Sequence, residues 1–155
     1  MIVVAISVLV ATLFFPVLQI YGTSMEPTLK EDDIVVSVKK TEFKRGDVIA
    51  FYYNNRILVK RVIATSSEWV RIDDEGNVFI NDNLIDESYI KLKSSGDSDI
   101  EYPYQVPEGT YFVLGDQREN SVDSRASEIG SISEENIIGK IVFKVWPLKK
   151  FGLIN

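Results

Sequence analysis

Along most of this chain apolar and polar positions alternate in short stretches, but the first twenty positions do not alternate. Residues Met1 to Ile20 read MIVVAISVLVATLFFPVLQI, an apolar run interrupted only by Ser7, Thr12, Pro16 and Gln19. A helix of ~20 such residues spans the roughly 30 Å hydrocarbon core of a bilayer, so the run predicts a membrane anchor. A buried core helix or a cleaved secretory signal would also use apolar residues. A cleaved signal needs a basic start and a small-x-small site near its end, and Gln19-Ile20-Tyr21-Gly22 supplies neither. No Lys or Arg precedes the run, so flanking charge leaves its orientation open.

Beyond Gly22 the hydrophobic period is two rather than 3.6, in short runs bounded by turn residues. The pattern predicts strands over Asp33–Val38, Asp47–Tyr53, Arg56–Ala64, Glu68–Ile72, Asn77–Ile80, Thr110–Leu114 and Gly139–Val145, hence a mainly β domain. Asn54-Asn55 reads as a hairpin tip, and Lys44–Asp47, Asp73–Asn77 and Asn81–Asn83 carry turn chemistry. The polar stretch Lys93–Glu101 is expected to be a mobile loop. One short helix is expected at Ser133–Ile138, with Ser133 as its N-cap and Glu134-Glu135 in its first turn.

With 155 residues the chain has room for one domain with a real core. Composition prunes the chemistry further, because there is no His and no Cys. That excludes a Ser-His-Asp triad, a thiol protease, a disulfide framework and a thiolate zinc site. A net charge of −6 opposes the field that binding to phosphate backbones requires, so nucleic acid is not an expected partner. The first charged side chain is Glu26, so all the charge lies beyond the apolar run.

A side-chain nucleophile must then be Ser or Thr, with Lys, a carboxylate or an α-amino group as its base. A lysine can serve as base if apolar surroundings strip its ammonium of hydration and lower its pKa. Lys60 stands in Ile57-Leu58-Val59-Lys60-Arg61-Val62-Ile63, where alternation puts Leu58, Lys60 and Val62 on one face. Taken alone, it equally suits an edge strand with its ammonium in water. Ser24 lies between Gly22 and Pro27, a flexible-then-rigid path that can expose a hydroxyl and aim amides at an oxyanion, though ordinary loop serines look the same. Gly115–Arg125 is dense in groups that can satisfy one another. It could also be a solvated loop, and it lacks the spacing of a Ca²⁺-binding EF-hand loop.

These three stretches together resemble the bacterial type I signal peptidases of peptidase family S26, which are membrane-anchored Ser-Lys endopeptidases. Ser24-Met25-Glu26-Pro27-Thr28-Leu29 is similar to the nucleophile box S-M-x-P-T-L, Arg45-Gly46-Asp47-Val48 to R-G-D-V, and Lys60-Arg61-Val62 to K-R-V. Gly115–Arg125 resembles G-D-N-R-x-N-S-x-D-S-R, with Gln117 in place of the usual Asn. Weaker echoes are Phe79-Ile80-Asn81 through Glu87-Ser88-Tyr89, Val106–Gly109, Ile137–Lys140 and Trp146-Pro147-Leu148. Gly22 stands where some members place a serine that helps hold the oxyanion, and Ala126–Gly130 is longer and less aromatic than in many members.

The resemblance implies Ser24 as nucleophile and Lys60 as general base. It implies that Ser121 hydrogen-bonds and orients the lysine, that Asp116, Arg118, Asp123, Arg125 and Arg61 form an ion-pair scaffold behind the dyad, and that Gly115 permits close packing beside it. Ile20, Met25, Leu29, Leu58 and Val59 would line shallow apolar pockets for small residues at positions −1 and −3 of a substrate bound as an added strand. The implied fold is a signal-peptidase-like (SOS-repressor-like) β-domain of antiparallel sheets preceded by one transmembrane helix. That gives an anchor over 1–16 and an extracytoplasmic peptidase domain over 17–155, with a small variable β excursion around 66–105. Val17–Tyr21 would be extended beside the cleft, leaving an anchor of about 15 residues that a basic stub before Met1, or a tilted helix in a thinned bilayer, would complete.

The expected function is removal of signal peptides from exported preproteins at the plasma membrane, without metal or cofactor, with lipid and the secretion translocon as partners. The alternative is a non-catalytic or dedicated pilus or surface-protein assembly factor of the same fold. A self-cleaving Ser-Lys repressor would need a DNA-binding module where this chain has its apolar run.

Overall fold

The computed structural model of the protein describes residues 13–154. The expected anchor falls largely on residues outside that range, and among the described residues no helix is long and apolar enough to cross a membrane. The described chain is built almost wholly from antiparallel strands. They are β1 (Val17–Gln19), β2 (Ile34–Val38), β3 (Val48–Tyr53), β4 (Arg56–Ala64), β5 (Trp69–Ile72), β6 (Val78–Ile80), β7 (Asn83–Leu84), β8 (Tyr104–Gln105), β9 (Thr110–Leu114), β10 (Ile132–Ser133), β11 (Ile137–Trp146) and β12 (Gly152–Leu153).

The larger sheet runs β1-β2-β11-β3-β4-β9-β10, with β12 also on β11; the smaller runs β7-β6-β5-β8. The β-branched and aromatic run Val48–Phe51 is fully buried because β3 sits mid-sheet between β11 and β4. Leu58 and Val62 pack with Phe43, Ile49, Phe51, Tyr111 and Val113, whereas Val59 packs with Ile20, Met25, Leu29 and Val35. The period-two reading of β4 therefore holds around Lys60. A third cluster, including Ile63, Val70, Ile80, Phe112 and Leu114, joins the small sheet to the large one. Each of these fully buried side chains contributes on the order of 1.5–3 kcal/mol.

One feature of β4 positions the site. Its first half, Arg56 to Lys60, pairs with β3 only, while β9 pairs with Arg61, Val62 and Ala64. Among the described residues no strand covers the other edge of 56–60, and Lys60 stands where that open edge begins. On the far side β1 is the terminal strand of the sheet, bonded to β2 alone.

The structure corrects two expectations. Ser133–Ile138 is not a helix: Glu134–Asn136 make one 3₁₀ turn, Ser133 forms no side-chain cap, and the β-branched Ile137-Ile138 already belong to β11. The polar stretch Lys93–Glu101 has no regular structure but is tied down. Arg125 donates to the Ser95 carbonyl at 2.9 Å, and Asp99 accepts from the Ser127 amide at 2.6 Å and its hydroxyl at 2.7 Å.

Candidate active site

Residues 20–33 form the loop that carries Ser24. Gly22 takes φ +79°, a left-handed conformation open to glycine at little cost, and turns the chain just before the serine. The loop is then held by backbone bonds from Glu26 to the Thr23 carbonyl, from Leu29 to the Met25 carbonyl and from Gln117 to the Ser24 carbonyl. Side chains hold it from below. The Thr28 hydroxyl donates to Asp116 Oδ2 at 2.5 Å, and Lys144 Nζ donates to the Thr28 carbonyl at 3.1 Å while pairing with Asp33 at 2.5 Å.

This places the Ser24 hydroxyl against β4. Lys60 Nζ lies 2.7 Å from Ser24 Oγ, and the lysine is only 4% exposed, so the edge-strand reading with the ammonium in water does not apply. Burial is the main cause of a lysine pKa lowered to about 8. Asp123 and Asp116 oppose the shift through their charge, and Arg125 adds to it. While charged, the ammonium donates to Oγ. Once neutral, its lone pair faces the hydroxyl proton.

Behind the dyad lies a buried charged scaffold. Arg61 grips Asp116 with two bonds of 2.9 and 2.8 Å, donates to the Gly46 carbonyl, and has the Tyr89 ring 4.1 Å from its guanidinium. Arg125 grips Asp123 in the same way at 2.8 and 2.9 Å, and Asp123 in turn accepts from the Gly115 amide. Arg118 donates to the Gly115 carbonyl and pairs with Glu87 at 2.6 and 3.2 Å. The Tyr89 hydroxyl donates to Glu87 at 3.0 Å, and burial, with Glu87 beside it, raises its pKa. A Cβ on Gly115 would meet the Ser121 side chain and come 2.6 Å from the Ser24 carbonyl oxygen, so only glycine fits there without displacing the nucleophile loop.

Of the residues expected at the site, Asp116, Arg118, Asp123, Arg125, Arg61 and Gly115 take up the scaffold positions. Ser121 departs from its expected role. Its Oγ is buried beside Gly115 and makes no hydrogen bond, so it does not orient Lys60 in this arrangement. Ile20, Met25, Leu58 and Val59 line a cleft of about 740 Å³ that ends at Ser24 and Lys60, with Val17–Tyr21 along one wall and Asn55–Val59 along the other. Leu29 does not line it: the side chain is fully buried in the core cluster with Val35, Val48 and Ile141.

Several contributors escape sequence reasoning. Thr28 sits inside the nucleophile box, yet nothing in that box marks it as the tie to Asp116. Glu87 could have been sought by charge balance, since three arginines in the scaffold face only two aspartates. Lys144 and Asp33 left no signal of that kind. Among the described residues, no group of three or more acidic side chains is placed to hold a metal ion.

The family described as "Signal peptidase, peptidase S26" matches residues 1–146. The chain is 33% identical to the chloroplastic thylakoidal processing peptidase 1 of Arabidopsis thaliana, over 95% of this chain and 46% of that one. It is 31% identical to a probable signal peptidase I-2 of Synechocystis, over 86% of this chain and 64% of that one. It is 36% identical to signal peptidase IB of Staphylococcus aureus, over 85% and 78%. This chain thus spans about half the length of the chloroplast relative and under two thirds of the cyanobacterial one. The crystal structure of a signal peptidase I from Enterococcus faecalis superposes with a TM-score of 0.54 at 31% identity, covering 67% of this chain and 98% of that one.

Proposed function

Because the chain belongs to the signal peptidase family of peptidase S26, we propose that it is a type I signal peptidase that cuts signal peptides from exported preproteins with a Ser24–Lys60 dyad. The observation that carries the reading is the 2.7 Å approach of Lys60 Nζ to Ser24 Oγ, with the lysine buried. In the proposed reaction neutral Lys60 takes the Ser24 hydroxyl proton as Oγ attacks the scissile carbonyl. The Ser24 amide N–H is the chain's own donor to the resulting oxyanion. Collapse breaks the C–N bond, and Lys60 passes its proton to the leaving amine. Lys60 then takes a proton from the water that attacks the Ser24 ester, and as the C–Oγ bond breaks it returns that proton to Ser24 Oγ, restoring the free serine and the neutral lysine.

The substrate would lie extended between Val17–Tyr21 and the open edge of β4, its backbone completing the sheet. Met25, Ile20, Leu58 and Val59 make that cleft shallow and apolar, which suits small side chains at −1 and −3. Phe14, Phe15 and Val17 are exposed beside it. They support a placement against a membrane surface with an anchor upstream, and the export role would put that surface on the extracytoplasmic side. An assembly role without catalysis is disfavoured, since both reactive side chains are present and in contact.

The test is cleavage of a preprotein with Ala at −1 and −3 by wild type, Ser24→Ala and Lys60→Met. Cleavage at that bond by wild type, lost in both folded variants, is the expected result. No cleavage by folded wild type in the presence of lipid would overturn the reading.

A further inference from the structure

The cleft continues past the dyad into a second lobe of about 940 Å³. It shares Gly22, Ser24, Asn55, Arg56, Leu58 and Lys60 with the first but adds different walls: Tyr53 and Asn54 of the β3–β4 hairpin on one side, and Asn120, Val122, Glu128 and Ile129 on the other. The two lobes differ in charge. No carboxylate lines the apolar lobe, whereas the second contains Glu128, in the segment Ala126–Gly130.

Glu128 does not hang on a loose loop. The Tyr53 hydroxyl donates to the Glu128 carbonyl at 3.1 Å, and both Ile129 and Gly130 amides bond to the Ala126 carbonyl. Ser127 is clamped by Asp99. The backbone is thus fixed across from the hairpin tip, while Glu128 is an exposed residue lining the lobe.

If the acyl half of the substrate fills the apolar lobe, as the proposed function has it, the leaving half must run out through the other. We infer that the second lobe holds the first residues of the released chain, and that Glu128 makes it prefer a basic side chain there over an acidic one. This rests on the peptidase reading. Asn54 and Asn120, which line this lobe and not the first, suit a polar, extended segment, in contrast to the more aliphatic wall upstream.

The test uses full-length protein and a preprotein-derived peptide with Ala at −1 and −3, carrying Lys or Glu singly at each of the first few positions after the scissile bond. At low salt the kcat/KM ratio of Lys to Glu should reach about three- to tenfold at one or more positions, and shrink in ~1 M salt. Glu128→Gln should bring the ratio to one or below it, since Arg56 remains in the lobe, and Glu128→Lys should invert it. Glu75→Lys changes net charge equally on the β5–β6 turn, outside both lobes, and should keep the wild-type preference.

Cleavage that ignores charge at every position would overturn the inference and leave the peptidase reading standing. A preference that survives Glu128→Lys, or that Glu75→Lys inverts as well, would overturn the role of Glu128. Failure to cleave any peptide would remove the peptidase reading, and this inference with it.

Discussion

Two buried lysines, Lys60 on β4 and Lys144 on β11, bear on the same loop in opposite ways. Each is about 5% exposed or less, and each stands among apolar strand neighbours. Lys144 meets the Asp33 carboxylate at 2.5 Å and the Thr28 carbonyl, so its charge is answered and it acts as a strut under the nucleophile loop. Lys60 meets a hydroxyl instead, with its carboxylate neighbours engaged by Arg61 and Arg125. Burial alone therefore does not make a base. What separates the two sites is whether a carboxylate touches the ammonium.

The most severe way to break this contrast is to remove the base. Lys60→Met should retain the fold and lose at least ~10³-fold in kcat, measured by peptide cleavage, since the nucleophile then has no proton acceptor. Residual turnover near wild type would mean another group takes the proton.

Removing the strut should fall first on stability. Lys144→Met leaves Asp33 buried without its cation, and unfolding by urea should report a loss of about 3–5 kcal/mol. The double variant Lys144→Met with Asp33→Leu should recover much of that loss, because no buried charge is then left unpaired. If Lys144→Met proved as stable as wild type, the strut would have no structural role.

A milder probe is pH. Burial disfavours the ammonium, so Lys60 gives up its proton at lower pH than an exposed lysine. In the proposed reaction the neutral form is the active one, so kcat/KM should rise about tenfold per pH unit in the acid limb and level off above an apparent pKa of about 8. A limb still rising near pH 10 would place the lysine in water. The smallest expected effect is that of Tyr89→Phe, which removes one bond to Glu87 and should cost about 1 kcal/mol in unfolding free energy while leaving the pH midpoint in place.

The two lysines also mark where sequence reasoning works and where it stops. Regular alternation holds in β4 from Leu58 to Val62, ahead of the register shift between Val62 and Ala64, so the face of Lys60 could be read from its neighbours. In β11 register shifts at Ile141/Phe143 and Lys144/Trp146 break the period, and Lys144 turns inward where simple parity from Ile141 puts it outside. The motif residues Arg61 and Asp116, and Asp123 and Arg125, meet in pairs that are local or lie between neighbouring strands. Glu87 differs, because its partner Arg118 is 31 positions away across an irregular segment. Leu29 and Met25 look alike in the nucleophile box. Both are buried in one core cluster, yet Met25 also lines the cleft and Leu29 does not, in a segment that the backbone bond from Leu29 to Met25 curls.

Among the described residues the strand β4 gains its second neighbour only at Arg61, which leaves one edge of its first half without a strand partner along the cleft. A surface of that kind greets every polypeptide with the same grammar, whatever its vocabulary of side chains. Discrimination then passes to bulk: a chain is admitted when nothing on it is too large to lie flat. Such a rule can serve many unrelated clients with a single gate, and it defines the permitted cut by what a sequence leaves out.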